Sequence, residues 1–112
     1  MKTTLQNVVK VLAQKSEHVQ SFKNSLCEYG ISREVFAELG FTHAIEYSAN
    51  EIERVELFPN IESAKEALID SLDTFEMFND IDKTFVRDDG LLATSHGRDC
   101  NLIMSIVALD NF

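Results

Sequence analysis

Carboxylate side chains are the most abundant groups in this chain that could do chemistry, and they are densest between residues 70 and 89. This acidic stretch is relieved only by Lys83 and Arg87, and it contains Asp70, Asp73, Glu76, Asp80, Asp82, Asp88 and Asp89. Oxygen ligands at this density suit calcium or magnesium. The segment from Asp80 begins like a calcium-binding loop, but Phe85 stands where that loop needs glycine and Leu91 where it needs glutamate. We therefore predict no metal site and no cofactor, and we interpret the stretch as a solvated acidic rim.

A thiol and an imidazole also lie close together in the sequence, at Cys100 and His96. A thiol nucleophile needs a base within hydrogen-bond reach, and His96 could be that base. However, a cysteine at the start of a buried strand usually acts as a small apolar side chain, and Gly97 makes the segment around His96 a turn. We predict no catalytic residue here. The chain has neither a glycine-rich phosphate loop nor zinc-ligand spacing.

Apolar and aromatic side chains allow an alternative hypothesis, a pocket between the first helix and the sheet. Such a cleft is typical of small-molecule binding or of catalysis when a few polar groups converge in it. The residues that would line it are Phe22, Phe41, His43, Tyr47 and Met104. His43 falls on the apolar face of its predicted strand, so the competing interpretation is a satisfied core histidine.

The elements that would position these groups begin with a helix predicted over residues 4–29. Its apolar residues recur every seven positions, with further apolar residues between them: Leu5, Val8, Leu12, Val19, Phe22, Leu26 and Tyr29. A straight helix of this length spans about 39 Å, whereas a domain of this size is about 34 Å across. Either the helix breaks near Ser16, or a second subunit covers part of it. We expect a homodimer through this helix, and the alternative is a bent monomeric helix.

The remaining elements follow from capping residues and changes of period. Ser32 caps a short helix over residues 33–39, and a period of two predicts a hairpin over residues 41–58. Pro59 and Asn60 begin a helix over residues 61–78, and antiparallel strands follow over residues 83–109.

Together these patterns predict the α+β class. We expect one domain over residues 1–112, with an antiparallel sheet of about five strands and the element order α-α-β-β-α-β-β-β. The long N-terminal helix and a second helix pack on the sheet. The last strand, which is apolar on both faces, should lie centrally and be covered on both sides.

Composition narrows the choice of partners. The 112 residues include 10 Lys and Arg against 19 Asp and Glu, a net charge of −9. Residues 1–33 hold five basic and two acidic side chains, a net charge of +3, and the rest holds five basic and 17 acidic ones, a net charge of −12. This balance disfavours nucleic acid and anionic membranes as partners. We see no signal peptide and no membrane span, and therefore expect a cytoplasmic protein with reduced cysteines.

Our leading functional hypothesis is a small, acidic, non-enzymatic binding protein that masks a basic protein surface. Proteins that neutralise toxins or mimic nucleic acids share this size and charge, which is an analogy of class alone. The residues expected to meet the partner are Asp70, Asp73, Glu76, Asp80 and Asp82. A homodimer whose role is purely structural is a further alternative.

Overall fold

Three helices, a β-hairpin, a fourth helix and three further strands follow one another along the chain, in a computed structural model that describes residues 2–109. The elements are α1 (Lys2–Gln14), α2 (Val19–Glu28), α3 (Arg33–Ala37), β1 (His43–Ala49), β2 (Ile52–Phe58), α4 (Ile61–Phe78), β3 (Ile81–Val86), β4 (Leu92–Gly97) and β5 (Asn101–Ala108). The α+β class and the antiparallel five-stranded sheet are confirmed. None of the helices in residues 2–109 is both long enough and apolar enough to cross a membrane.

The predicted helix over residues 4–29 is wrong as a continuous element, because it is divided into α1 and α2. The break falls near Ser16, where the sequence allowed one, but Ser16 is not the residue that caps α2. Ser16 instead donates its hydroxyl to the Leu12 carbonyl at 2.7 Å. His18 is the N-cap of α2: its Nδ1 accepts the Ser21 N–H at 3.1 Å, and its own N–H donates to the Ser21 hydroxyl at 3.1 Å. This reciprocal pair satisfies helix-end donors and lets the chain start a second helix.

The five strands are arranged in the order β2-β1-β5-β4-β3, with antiparallel neighbours throughout. β5 is therefore the central strand, as its apolar composition predicts. A two-residue turn at Asn50 and Glu51, both with positive φ, joins β1 to β2. Such a turn matches the right-handed twist of a hairpin, and asparagine adopts it at lower cost than most residues.

The two faces of the sheet carry separate cores. Helices α1, α2 and α3 cover one face with a core made of Val9, Ala13, Val19, Phe22, Leu26, Phe36, Leu39, Ala44, Val55, Leu57 and Leu109. Helix α4 covers the other face with a core made of Ile45, Ala49, Ala64, Leu68, Leu72, Phe75, Ala93, Leu102, Met104 and Ile106. Neighbouring residues of a strand point to opposite faces, so β1 contributes Ala44 to the first core and Ile45 to the second.

Helix coverage of the sheet is uneven. β1 and β2, here called the covered half, are packed on both faces, whereas β3 and β4, the open half, are packed only on the α4 face. The outward side chains of Phe85 and Ile103 are 49% and 44% exposed. The expectation that β5 is covered on both faces is therefore wrong at Ile103, because α1–α3 end over the covered half.

Candidate functional site

The five acidic residues expected to meet a partner lie on the exposed side of α4 and at the start of β3. We call Asp70, Asp73, Glu76, Asp80 and Asp82 the acidic face, and all five are exposed. The apolar stripe of α4 is buried against the sheet, which turns the opposite side of the helix to solvent. The exposure of Asp70, Asp73 and Glu76 therefore follows from the period of the helix.

Glu76 connects the two parts of the acidic face. Its Oε1 accepts the Thr84 hydroxyl at 2.8 Å, so the last turns of α4 lie beside β3. Asp73 lies three residues before Glu76 on the same helix, and Asp80 and Asp82 follow in the connection and in β3. The structure thus brings negative charge from α4 and from β3 to one border of the sheet.

The ion pairs between Arg54 and Glu56 and between Arg87 and Asp89 involve no member of the acidic face. Arg87 Nε donates to both oxygens of Asp89, at 2.9 and 3.0 Å, which ties this cation to the β3–β4 turn. That hydrogen bond, followed by one from the Leu91 N–H, lowers the pKa of Asp89. A basic partner would therefore meet carboxylates that these two ion pairs do not neutralise.

Metal coordination needs several ligands around one point. Across residues 2–109, no three His, Cys, Asp or Glu side chains converge in a way that could hold a metal ion. The carboxylates of the acidic face are spread along a helix and a strand, an arrangement that suits charge pairing with a broad surface.

The thiol and imidazole considered for catalysis lie at the turn between β4 and β5, in a depression of about 500 Å³. The Cys100 thiol donates a hydrogen bond to the backbone carbonyl of Asp80, the residue before β3, at 3.9 Å. Gly97 is required beside it: a Cβ at this position would overlap the Asp80 carbonyl oxygen and lie 2.7 Å from Cys100 Sγ. Cys100 and Gly97 therefore allow the start of β3 to pack against the turn between β4 and β5.

The five residues proposed for a pocket are divided between the two cores. Phe22 and Phe41 belong to the core under α1–α3, each contacting Phe36, at ring-centroid distances of 5.8 and 6.3 Å. Tyr47 and Met104 pair across β1 and β5 in the core under α4. His43, half-buried on β1, shares a hydrogen bond of 2.8 Å with the Thr42 hydroxyl. The backbone of the sheet separates the two pairs, so these five side chains do not form the pocket between the first helix and the sheet that was the alternative hypothesis.

Sequence reasoning missed two features of the helical side. Glu46 on β1 accepts the Val19 N–H at 2.8 Å and so satisfies a donor at the start of α2. An apolar groove of about 380 Å³ runs between α1 and the end of α2, where the side chains of Val8, Val11 and Tyr29 are exposed. The seven-residue period groups Val8 and Tyr29 with the buried residues of the helix, whereas in the structure both side chains are exposed.

The chain matches no model of a known protein family, no curated protein and no solved structure.

Proposed function

We propose that this chain is a small, acidic, non-enzymatic binding protein of the cytoplasm that masks a basic surface of another protein. The observation that carries the proposal is the acidic face itself. Its five carboxylates are exposed, Glu76 lies beside β3 through its hydrogen bond with Thr84, and the ion pairs of Arg54 and Arg87 engage none of the five. A body with a net charge of −12 outside residues 1–33 attracts a basic surface over a distance of about one Debye length, roughly 8–10 Å at ordinary ionic strength.

The expected mechanism is electrostatic steering followed by charge pairing. Complementary charge raises the association rate more than it lowers the dissociation rate, and salt weakens it. Binding should therefore slow as ionic strength rises, and the affinity should depend on the position of the carboxylates rather than on the net charge alone.

Charge reversal at the acidic face tests the proposal. In the double variant Asp73→Lys and Glu76→Lys, association with a panel of small basic proteins at low salt should slow about tenfold or more. The matched control is the double variant Glu28→Lys and Glu38→Lys, which has the same net charge and changes two exposed residues at the ends of α2 and α3. Surface plasmon resonance at several salt concentrations measures the rates. Equal association rates in the two variants would contradict the proposal.

The groove between α1 and α2 supports a second candidate, a homodimer through the first helix. Val8, Val11 and Tyr29 expose apolar surface there. Because α1 is shorter than the helix predicted over residues 4–29, this candidate rests on the exposed surface and not on the length of the helix. Sedimentation velocity from low to tens of micromolar protein tests it. A single monomeric species over the whole range would exclude a stable dimer.

A further inference from the structure

We infer that the outer edge of β3 binds an extended, basic segment of a partner protein, which adds to the sheet as a sixth strand. This inference rests on the proposed function and names how the acidic border would engage its partner. β3 is at the end of the sheet and pairs only with β4 among the described strands.

The hydrogen-bond pattern identifies the backbone groups that face outward. The Arg87 N–H donates to the Leu92 carbonyl at 2.9 Å, so residues 87 and 92 form a hydrogen-bonded pair. In an antiparallel ladder such pairs alternate with pairs that are not hydrogen-bonded. By the register of β3 and β4, Phe85 is therefore bonded to β4, whereas Thr84 and Val86 direct their N–H and C=O groups to the open edge.

The side chains at this edge offer apolar contacts on both faces of the sheet. Phe85 is half-exposed on the outward face, in register with Thr94 of β4. Val86 is partly exposed on the α4 face, and Thr84 lies there too, bonded to Glu76. An added strand would place alternate side chains beside Phe85 and beside Val86, where cross-strand pairs stabilise a sheet.

Charge favours a basic occupant for this edge. Carboxylates flank β3 on three sides: Asp80 and Asp82 at its start, Asp88 after its end, and Glu76 beside Thr84. Lys83 is the single cation within the strand, and Arg87 is already bonded to Asp89. A second copy of this chain would bring two acidic borders together, and their repulsion opposes that pairing.

One feature limits the length of the added strand. A register shift between Ile81 and Lys83 interrupts the ladder at the start of β3, and irregularities of this kind blunt edge strands. The open part is therefore short, from Thr84 to Val86, and a partner would engage it with a few residues.

The experiment uses the full chain and a capped eight-residue peptide that alternates lysine with valine. Nuclear magnetic resonance should show slower hydrogen exchange at the Thr84 and Val86 amides when the peptide is added. The Phe85 amide, already bonded to β4, should change little. A lysine and alanine peptide of equal charge that favours a helix should bind more weakly and leave exchange at Thr84 and Val86 unchanged.

The sharpest variant is Val86→Pro, because proline removes an outward N–H without removing a bond to β4. We expect it to weaken binding of the alternating peptide about fivefold or more. The loss would come from one backbone hydrogen bond and from the strand contacts that depend on it. The control Val86→Thr changes the side chain and keeps the N–H. If Val86→Pro fails to fold, the unchanged protein is titrated with peptides N-methylated at residues facing β3 or facing away, and only the first should lose binding.

The outcomes separate this inference from the proposed function. If Val86→Pro binds like Val86→Thr, or if N-methylation has no positional effect, while reversal at Asp73 and Glu76 still weakens binding, the added strand is wrong and the acidic face stands. If reversal also has no effect, both proposals fail. Protection of the Thr84 and Val86 amides that grows with protein concentration alone would assign the edge to a second copy and overturn the inference.

Discussion

The covered half and the open half of the sheet are built from the same kind of strand, yet they bury different fractions of their side chains. β1 and β2 contribute Ala44, Ile45 and Val55 to cores on two faces, and α1 packs against β2. β3 and β4 have one helix over one face, and Phe85 remains half-exposed on the other. Stability is therefore concentrated at one side of the molecule. The acidic face borders the other side, next to the outer edge of β3, which has no neighbouring strand among the described residues beyond β4.

The largest expected difference between the halves is in the stability lost when a phenylalanine of each is changed to alanine. Phe22→Ala removes a fully buried ring beneath α2 and should destabilise the protein by about 3–5 kcal/mol. Phe85→Ala removes a half-exposed ring and should cost less than about 1 kcal/mol. Urea denaturation followed by circular dichroism measures both. Similar losses would mean that the open face is buried in solution, as it would be in an assembly.

A smaller effect is expected at the joint between the turn after β4 and the start of β3. Gly97→Ala forces the Asp80 carbonyl and the Cys100 thiol to move, at a cost of about 1–3 kcal/mol. The damage should be local, so hydrogen exchange should accelerate at β3 amides and stay nearly constant in β1 and β2. The added variant Cys100→Ala should relieve part of the cost. Equal acceleration in both halves would contradict the separation drawn between them.

The smallest effect concerns the turn that closes the open half. The pKa of Asp89 is lowered by its hydrogen bonds with Arg87 and with the Leu91 N–H. A carboxyl with a lowered pKa in the folded state adds stability above its ordinary pKa, and this stability is lost as pH falls through the lowered value. The variant Asp89→Asn should therefore lose slightly more stability near neutral pH than in strong acid. Carbon-detected titration of Asp89 should show the lowered pKa, and an ordinary value would remove the basis of this prediction.

The sequence predicted where a helix begins when a single capping residue determines that position. Asn60 accepts the Ser63 N–H at 2.7 Å and begins α4, as expected from its position after Pro59. The break between α1 and α2 was harder to locate, because the seven-residue apolar period continues across it and histidine is an uncommon cap. His18 fulfils that role through its ring nitrogen, which composition and period do not reveal.

The sequence could not predict which helix covers which face of the sheet, and this determines the surroundings of the candidate site residues. The acidic face could be predicted because charge on the outer side of an amphipathic helix must face solvent. The division of Phe22 and Met104 between two cores could not, because strand alternation does not say which helix covers which face. For the same reason the pattern of β5 predicted burial at Ile103, although no helix among the described residues reaches far enough to provide it.

The central position of β5 also determines the order in which the sheet can be completed. The hairpins β1–β2 and β3–β4 are local in sequence, but they meet only through β5, which follows both along the chain. During synthesis each hairpin can form as it emerges, and until β5 arrives the inner edges of β1 and β4 have no neighbouring strand. A chain that terminates before Asn101 would lack β5 and hold two unjoined hairpins with exposed edges, a species prone to aggregate.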